Sequence, residues 1–266
     1  TVVDLSWLSV LIAVAESDPA IGAVQSRLML ANDRDRINSV GNAIHFLGFG
    51  YSVGNGEKLG IRNFPRPELG TKVELGITDI TYASGAAVLY RRTALDDVGL
   101  LDEWLFMYHE DLEFGWRMWR AGWRSVLAPQ SIVYHKYEFS KSIKKYYYME
   151  RNRFVVMAIH YSIPTLLLIA PAFICMEIGL WLFAFRSGWW REKARAYRAF
   201  FSRETWQHIR QMRVRFRSVV RAHERDVVRR FAGTIGYQEI DSPLLRYVVN
   251  PVFAAYWSII RRLISW

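Results

Sequence analysis

Three short groups of residues have types and an order that suit the activation of a hydroxyl group. A turn of small residues, Ser84-Gly85-Ala86, precedes the carboxylate pair Glu110-Asp111, and His135 follows. Small side chains let another molecule approach the backbone. A carboxylate at a helix start is kept ionised, as a general base must be. The order predicts one pocket that uses all three groups, although an Asp at a helix start is more commonly a cap.

The hydrophobic pattern predicts mixed helices and strands in the first part of the chain. We predict a helix over residues 1–19, a strand over 21–30, a long loop over 32–72, strands over 73–82 and 87–90, helices over 93–98 and 110–121, and strands over 123–127 and 132–134. Gly99 and Gly122 predict where the second and third helices end. The sequence therefore indicates an α/β fold with an open sheet.

Composition excludes a disordered chain. The 266 residues are 52% hydrophobic and include 11 Trp, which indicates packed or membrane-seated structure. A single cysteine, Cys175, excludes an internal disulfide and fits a reducing, cytosolic compartment. Because Cys175 lies in an apolar run, we predict that it is a small buried hydrophobic residue.

The character of the chain changes near residue 143. Residues 186–230 contain 14 Arg or Lys against four acids, and this surplus equals the net charge of +10 of the whole chain. Before them, residues 161–185 form a 25-residue apolar run that is long enough to cross a bilayer. Basic residues flank the run over 141–153 and over 186–230. A single membrane span would place one of these basic segments outside the cytoplasm, against the usual preference of Lys and Arg for the cytoplasmic side.

We therefore predict a monotopic or re-entrant helical foot on the cytosolic leaflet, with a single span as the alternative. The predicted domains are residues 1–142 and residues 143–266. The first is a catalytic domain, and the second is a basic and apolar helical region that associates with the membrane.

The motifs between residues 80 and 155 resemble those of family-2 glycosyltransferases of the GT-A fold. The similarity is closest to bacterial rhamnosyltransferase-like members that act on lipid-linked glycans. The residues that carry it are Ala83-Ser84-Gly85-Ala86, Arg91-Arg92, Val98-Gly99-Leu100-Leu101-Asp102-Glu103, Tyr108-His109-Glu110-Asp111, Arg117, Gly122 and His135. The resemblance implies the carboxy-terminal, acceptor half of a Rossmann-like GT-A domain followed by a membrane-associated helical region.

The resemblance also implies the reaction and its partners. The expected activity is inverting transfer of a sugar, rhamnose among the candidates, from a nucleoside-diphosphate sugar donor to a polyprenyl-diphosphate-linked glycan. Such a reaction belongs to envelope polysaccharide synthesis at the cytoplasmic face of the bacterial inner membrane. The chain has no Gln-x-x-Arg-Trp motif, which processive members carry, so repeated polymerisation is disfavoured.

The resemblance further implies roles for individual residues. Asp111 would deprotonate the acceptor hydroxyl, Glu110 would position Asp111, and His135 would bind a divalent metal, Mg2+ or Mn2+, beside a DxD motif. Substrate contacts are implied for Ser84, Gly85, Ala86, Asp102, Glu103, Arg151, Asn152 and Arg153. Asp102 and Glu103 have an equal alternative role, in which they cap a helix and form ion pairs with Arg91 or Arg92. For Arg117 we predict a surface ion pair with an acid of its own helix.

We expect the DxD motif of the family to precede the printed sequence. Residues 1–8 resemble the helix that follows this motif in the family, so we expect the first half of the nucleotide-binding domain to precede Thr1. On this interpretation Asp4 is not a metal ligand, and the chain as printed is expected to be inactive by itself.

Two other functions fit the same residues. One is a transferase that charges polyprenyl phosphate directly, and the other is a non-enzymatic module that binds anionic lipid. Nucleic acid is a weaker partner because the Arg-rich block adjoins a long apolar run, and we expect no nucleic-acid partner.

Overall fold

The computed structural model describes residues 1–60, 71–72, 76–136, 144–236 and 243–266. Its strands are β1 (Val2–Val3), β2 (Ile21–Leu30), β3 (Ile37–Ser39), β4 (Asn42–Ile44), β5 (Gly50–Ser52), β6 (Thr71–Lys72), β7 (Ile77–Asp79), β8 (Val88–Tyr90) and β9 (Arg124–His135). Its helices are α1 (Trp7–Glu16), α2 (Arg92–Val98), a 3-10 turn (Glu103–Leu105), α3 (Glu110–Arg120), α4 (Lys145–His160), α5 (Ile163–Arg186), α6 (Trp190–Phe200), α7 (Arg203–Arg217), α8 (Glu224–Val228), a π-helix (Leu245–Val249) and α9 (Asn250–Leu263).

Two long parallel strands, β2 and β9, form the centre of a mixed sheet. Val24 lies opposite Val126, and Leu30 lies opposite His135. Strands β3 and β8 pair antiparallel with β2, β1 and β7 pair antiparallel with β9, and β6 pairs with β7. β2 is buried along most of its length, as expected for a central strand of a sheet. Both central strands therefore deliver their carboxyl ends to one edge.

Much of the predicted secondary structure is confirmed, with three differences. β9 is one strand where two were predicted, because a register shift at Ser26 and Arg27 accommodates the intervening Pro129. The predicted loop over 32–72 is wrong where β3, β4, β5 and β6 form, and residues 61–70 lie outside the described residues. The first helix begins only at Trp7, because Val2–Val3 pairs with β9 instead. Residues 73–75 and 137–143, including Lys141, also lie outside the described residues.

The hydrophobic core continues across the predicted boundary at residues 142 and 143. The ring of Phe46 stacks on that of Trp257 with centroids 4.8 Å apart. Trp116 of α3 packs against His160 at 4.9 Å and against Phe231 at 4.6 Å. The division into two domains stays a prediction. The helices after residue 143 pack against residues before it and form one hydrophobic core with them.

Helix α5 realises the predicted apolar segment. It has 24 residues, and an 18-residue stretch within it has a mean hydropathy of 2.2, so among the described helices it is long and apolar enough to cross a membrane. One face is buried on its neighbours through Ile169, Ala172 and Ala184. The opposite face is exposed and carries Ile163, Leu167, Ile174, Ile178, Leu182 and Phe185. Cys175 is exposed as well, so its predicted burial is wrong.

The buried face of α5 is held by an ionic cluster, which we define as Glu150, Arg153, Glu177 and Lys193. Arg153 binds both Glu150, at 3.1 Å, and Glu177. Lys193 Nζ lies 2.5 Å from Glu150 and 2.8 Å from Glu177. Two acids and two bases balance in charge, as buried ions require. The cluster joins α4, α5 and α6.

Candidate active site

The small-residue turn and the carboxylate of Asp111 lie against each other. The Gly85 backbone lies close enough to the Asp111 carboxylate to lower its pKa, and the Leu112 N–H donates to Asp111 Oδ1 at 2.8 Å. Gly85 and Ala86 are exposed, and a Cβ added at Gly85 would meet nothing within 4 Å. The space over the turn is therefore open to a second molecule.

The electrostatics of the carboxylate pair differ from the sequence prediction. Burial, reinforced by the charge of Glu110, raises the pKa of Asp111 to about 7. Burial also raises the pKa of Glu110, whose Oε2 has no hydrogen-bond partner among the described residues. The expected stabilisation of charge at a helix start is outweighed by burial. A carboxylate with a pKa near neutrality is suited to accept a proton from a hydroxyl.

Gln25 of β2 holds the turn at Ser84-Gly85-Ala86 in place through a hydrogen bond. Its buried side chain accepts the Ser84 N–H at Oε1 over 2.7 Å and donates from Nε2 to Ser39 Oγ at 3.2 Å. The sequence analysis missed this residue. The available signal was an amide side chain in the middle of a strand that is apolar at both ends, where it needs a polar partner.

The segment just before α3 is strained. Phe106, Tyr108 and His109 have φ of 62°, 62° and 69°, in the left-handed region that favours glycine. Such residues cost on the order of 1–3 kcal/mol each and cluster at functional sites. Asp111 follows His109 by two residues, so the strained segment sets where α3 begins.

Asn152 holds this segment in place. Its Nδ2 lies within hydrogen-bond distance of the carbonyls of Leu105 (2.9 Å), Met107 (2.8 Å) and Tyr108 (2.7 Å). Arg151 assists through Leu105, whose carbonyl it binds at 3.0 Å. We call Asn152 and these three carbonyls the amide clasp.

The basic motif at 151–153 thus binds protein groups. Asn152 is fully buried, and Arg153 belongs to the ionic cluster and is 1% exposed. Direct contact of either side chain with a substrate, as the resemblance implied, does not fit this burial. Arg151 is half-buried and also donates to Asn152 Oδ1 at 2.8 Å.

The acidic pair at 102 and 103 divides into one structural and one exposed residue. Asp102 accepts the Trp104 N–H at 3.1 Å and pairs with His208 of α7 at 2.8 Å. The His208 ring stacks on that of Trp104 at 4.6 Å. This fits the capping alternative for Asp102, whereas Glu103 is exposed.

The predicted arginine partners of that pair bind elsewhere. Arg91 donates to the carbonyl of Ile21 at 2.7 Å, and Arg92 pairs with Asp96 at 2.8 Å. The predicted ion pair at Arg117 does form, with Glu113 at 2.5 Å. It is buried, though, and not at the surface as expected.

Glu113 is charged in this buried position. Burial alone would raise its pKa, but Arg117 and His160 lower the pKa of Glu113 to about 2. The pair fastens α3 in the core, because Arg117 also donates to the carbonyls of Val98 and Leu100.

His135 lies at the same end of the sheet as the turn. It pairs with Leu30, whereas the turn lies beside Ser26, whose N–H donates to the carbonyl of Ala87. Four strand residues separate these positions, about 13 Å at the usual rise. In open α/β sheets, ligands bind beyond the carboxyl ends of parallel strands.

The surroundings of His135 fit a metal site only in part. Its Nδ1 lies 2.9 Å from Asn38 Oδ1, and burial lowers the pKa of His135. Within the described ranges, no group of three or more His, Cys, Asp and Glu is placed to hold a metal. These residues do not complete a metal centre, so no step below is routed through one.

Comparison with known proteins agrees with the motifs. Residues 71–201 match the family described as Glycosyl transferase family group 2. A 56-residue stretch is 45% identical to N-acetylglucosaminyl-diphospho-decaprenol L-rhamnosyltransferase from two strains of Mycobacterium tuberculosis. That match covers 21% of this chain and 18% of each relative's length. The motifs and these matches together support membership of the chain in the family-2 glycosyltransferases.

A solved structure shows a weaker likeness. The crystal structure of GalNAc-T7 with UDP, GalNAc and Mn2+ has 16% sequence identity and a TM-score of 0.46. It covers 60% of this chain and 30% of that one. A likeness of this size does not define the fold of the chain.

Proposed function

We propose that Asp111 is the base of an inverting sugar transfer and that the acceptor hydroxyl lies over the turn at Ser84-Gly85-Ala86. The observation that supports this most directly is the closeness of the Gly85 backbone to the Asp111 carboxylate, beneath a surface that is open above Gly85. The acceptor oxygen attacks the anomeric carbon and gives its proton to the Asp111 carboxylate. The bond from that carbon to the diphosphate breaks, and the nucleoside diphosphate leaves with the bonding electrons.

Glu110 supports this base by electrostatics. Its charge disfavours ionisation of Asp111 and so makes that carboxylate a stronger proton acceptor once it is ionised. Asn152 and Arg151 act in the proposal as positioning residues for the segment that carries the base. His135 remains a proposed ligand of a divalent ion whose other ligands lie outside the described residues.

The proposed donor is a nucleoside-diphosphate sugar and the proposed acceptor is a lipid-linked glycan. The support is the local 45% identity to enzymes whose name specifies rhamnose transfer to N-acetylglucosaminyl-diphospho-decaprenol. We further propose that the protein lies on the cytoplasmic face of the bacterial inner membrane. The exposed apolar face of α5 supports this, as does the exposed Arg186 at its end.

The experiment uses membranes from cells that make the full-length protein. Nucleoside-diphosphate L-rhamnose and polyprenyl-diphosphate N-acetylglucosamine are the probes, and the Asp111→Asn variant is compared with wild type. We expect a loss of transfer of about 10²- to 10⁴-fold, the usual contribution of a general base. Donor binding should be unchanged.

Asp226→Asn is the matched control, because Asp226 is an exposed acid of α8 that is paired with Arg225. Undiminished transfer by Asp111→Asn would overturn the base assignment. Transfer to polyprenyl phosphate in place of the diphosphate-linked sugar would instead favour direct charging of the lipid carrier.

A further inference from the structure

A second concave site lies behind α3, away from the carboxylate pair. It is a cavity of about 320 Å³ between the second half of α3, the α4–α5 junction and the end of α7. Its polar lining includes Arg117, Arg120, Arg213, Arg217 and Glu224. Arg120 follows Asp111 by nine residues on one helix, a separation of about 14 Å at 1.5 Å per residue. We call this cavity the arginine cleft.

Some charges of the arginine cleft are already neutralised or bonded. Arg117 is paired with Glu113. Arg213 donates to the carbonyls of Ala158 at 2.7 Å and Tyr161 at 2.5 Å. Glu224, the acid in the lining, accepts the N–H of Ser162 at 3.1 Å. The cleft thus has a cationic surplus, to which Arg120 and the exposed Arg217 contribute.

Arg120 has a donor that the protein leaves unused. Its Nη1 is shielded from solvent and has no hydrogen-bond partner among the described residues. Burial lowers the pKa of Arg120, and the nearby Glu224 opposes this only in part. An unsatisfied buried donor is costly, especially on a charged group, so an acceptor is expected in the cleft.

Arg120 is also fixed in position. Its backbone carbonyl accepts the N–H groups of Arg221 and Ala222 at 2.9 and 3.0 Å. Arg221 in turn pairs with Asp97 at 2.5 Å. The guanidinium therefore projects from a backbone that is tied to the segment after α7, which suits a built anion site more than a mobile surface arginine.

We propose that the arginine cleft binds a phosphate group, with the guanidinium groups of Arg120 and Arg217 as its donors. Guanidinium groups match phosphate oxygens in geometry and keep their charge. The cleft also has apolar lining from Phe216 and Val220. This site is independent of sugar transfer and of the base at Asp111.

Two sources of the phosphate are open, a soluble phosphate and a lipid headgroup. Ser162 lines the cleft, and the exposed apolar face of α5 begins at the next residue, Ile163, which is 65% exposed. A phosphate with hydrocarbon attached would therefore have apolar protein surface beside it. The test separates the two sources.

The test measures binding by the full chain to inorganic phosphate, to pyrophosphate and to vesicles. Calorimetry and thermal unfolding are used for the soluble anions, with sodium chloride at equal ionic strength as reference. Vesicles of phosphatidylcholine with or without phosphatidic acid are used in a sedimentation assay. The variants are Arg120→Gln and Arg217→Gln, and the control is Arg195→Gln, an exposed arginine of α6 paired with Glu192.

We expect at least a tenfold weaker Kd for the phosphate-bearing probe in both cleft variants and no change in the control. Selective binding of phosphate or pyrophosphate indicates a soluble ligand, and cleft-dependent binding of phosphatidic acid vesicles indicates a lipid headgroup. The proposal would be overturned if neither the soluble anions nor the phosphatidic acid vesicles bound, or if all variants bound them equally. Because Arg217 is exposed, its variant tests the cleft even if Arg120→Gln unfolds.

Discussion

Two buried amides, Gln25 and Asn152, shape the site by binding backbone. Gln25 fixes the turn through Ser84, and Asn152 fixes the strained segment before α3. Each satisfies groups that are distant in sequence, 59 residues away for Gln25. Side chains that act at this distance give the backbone a conformation that local propensity would not select.

The amide clasp predicts that Asn152→Ala and Asn152→Asp reduce transfer by at least about tenfold, with little effect on donor affinity. Both remove the Nδ2 donor, and the Asp variant does so without changing the shape of the side chain. The buried carbonyls then lose their partner. The measurement is kcat and donor Kd in the full-length protein, with hydrogen exchange over residues 105–110.

The control for Asn152 is Gln211→Ala, at an exposed amide side chain of α7. Loss of donor affinity without loss of kcat would contradict a positioning role and favour a direct contact with the donor. Faster exchange over residues 105–110 in both Asn152 variants would connect the lost rate to the released segment.

Asp111 predicts a link between activity, stability and pH. Its native pKa of about 7 is raised from the usual carboxyl value of 3.8, so the native state binds this proton more tightly than the unfolded state does. Ionisation thus lowers stability as the pH rises from about 4 to above 7. Asp111→Asn should raise Tm at pH 8 by several degrees and by much less at pH 5.

The same titration sets the rate profile. Transfer by the wild type should increase as the pH rises through about 7, because only the ionised carboxylate accepts the acceptor's proton. Thermal unfolding and initial rates measured from pH 5 to 8 check both effects. A transfer rate highest at pH 5 would exclude Asp111 as the base.

The residue roles were predictable only where a local motif carried them. The turn at Ser84-Gly85-Ala86 and the pair Glu110-Asp111 are contiguous in sequence, and the structure brings them together. By contrast, Asn152 and Arg153 were predicted to contact substrate, and the structure shows them bonded to other groups of the protein. Sequence shows that a side chain can donate, but not whether burial turns it toward protein or toward solvent.

Among the elements, the contact of α3 with the end of β7 places the carboxylate pair most closely. Gly115 makes it possible, since a Cβ there would lie 2.2 Å from the Cβ of Tyr82 and 3.0 Å from the carbonyl oxygen of Thr81. A glycine inside a helix is a visible sequence signal for such close approach. The sequence analysis did not use it.

We predict that Gly115→Ala lowers the free energy of unfolding by about 2 kcal/mol or more, because overpacking against backbone cannot relax easily. Gly179→Ala in α5 is the matched control. It too is a helical glycine, but an added Cβ there meets nothing within 4 Å. The control should be neutral or stabilising by up to about 1 kcal/mol. Chemical denaturation compares the two, and equal effects would refute the packing argument.

The ionic cluster predicts a second effect among the helices. Lys193→Met leaves Glu150 and Glu177 with one cation between them, which should cost about 3–5 kcal/mol. Adding Glu177→Gln restores the charge balance with Arg153 and should recover part of that loss. The control Arg195→Gln, at an exposed pair, should change stability by less than about 1 kcal/mol. Thermal unfolding of the wild type, the single variants Lys193→Met and Glu177→Gln, the double variant and the control measures this, and additive losses would refute the coupling.

The elements show where sequence patterns suffice. Strong periodicity with Gly99 and Gly122 as stops predicted α2 and α3 closely. The loop over 32–72 hid short strands such as β3 and β5, which form because β2 and the hairpin partner supply hydrogen bonds from elsewhere in the chain. Pairing of this kind is decided by tertiary contacts rather than by local composition.

At the scale of the whole molecule, the catalytic elements and the carboxy-terminal helices share one core. The ring of Phe46 stacks on that of Trp257 in α9 at 4.8 Å, and the Tyr161 hydroxyl donates to the carbonyl of Phe46 at 2.8 Å. The division near residue 143 stays a prediction, and composition did not reveal that the helices after it pack against the residues before it.

The apolar face of α5 predicts vesicle binding by the intact protein. Ile178→Asp and Leu182→Asp should each weaken flotation with phosphatidylglycerol vesicles at least threefold, because each adds a charge to an exposed apolar face. Val214→Asp is the control, since Val214 is 67% exposed on α7 and outside that face. Equal flotation of all variants would exclude α5 as the docking face.

The ionic cluster also bears on which side of a bilayer each end of α5 occupies. Hydropathy alone would assign residues 160 and 190 to opposite compartments. Glu177 sits midway along the helix and is tethered to Arg153 before it and Lys193 after it, so both flanking helices would have to enter the hydrocarbon with it. Retaining these tethers leaves the two flanks of α5 in the same compartment, and a reporter fused after residue 266 would then share the compartment of the sugar-nucleotide pool.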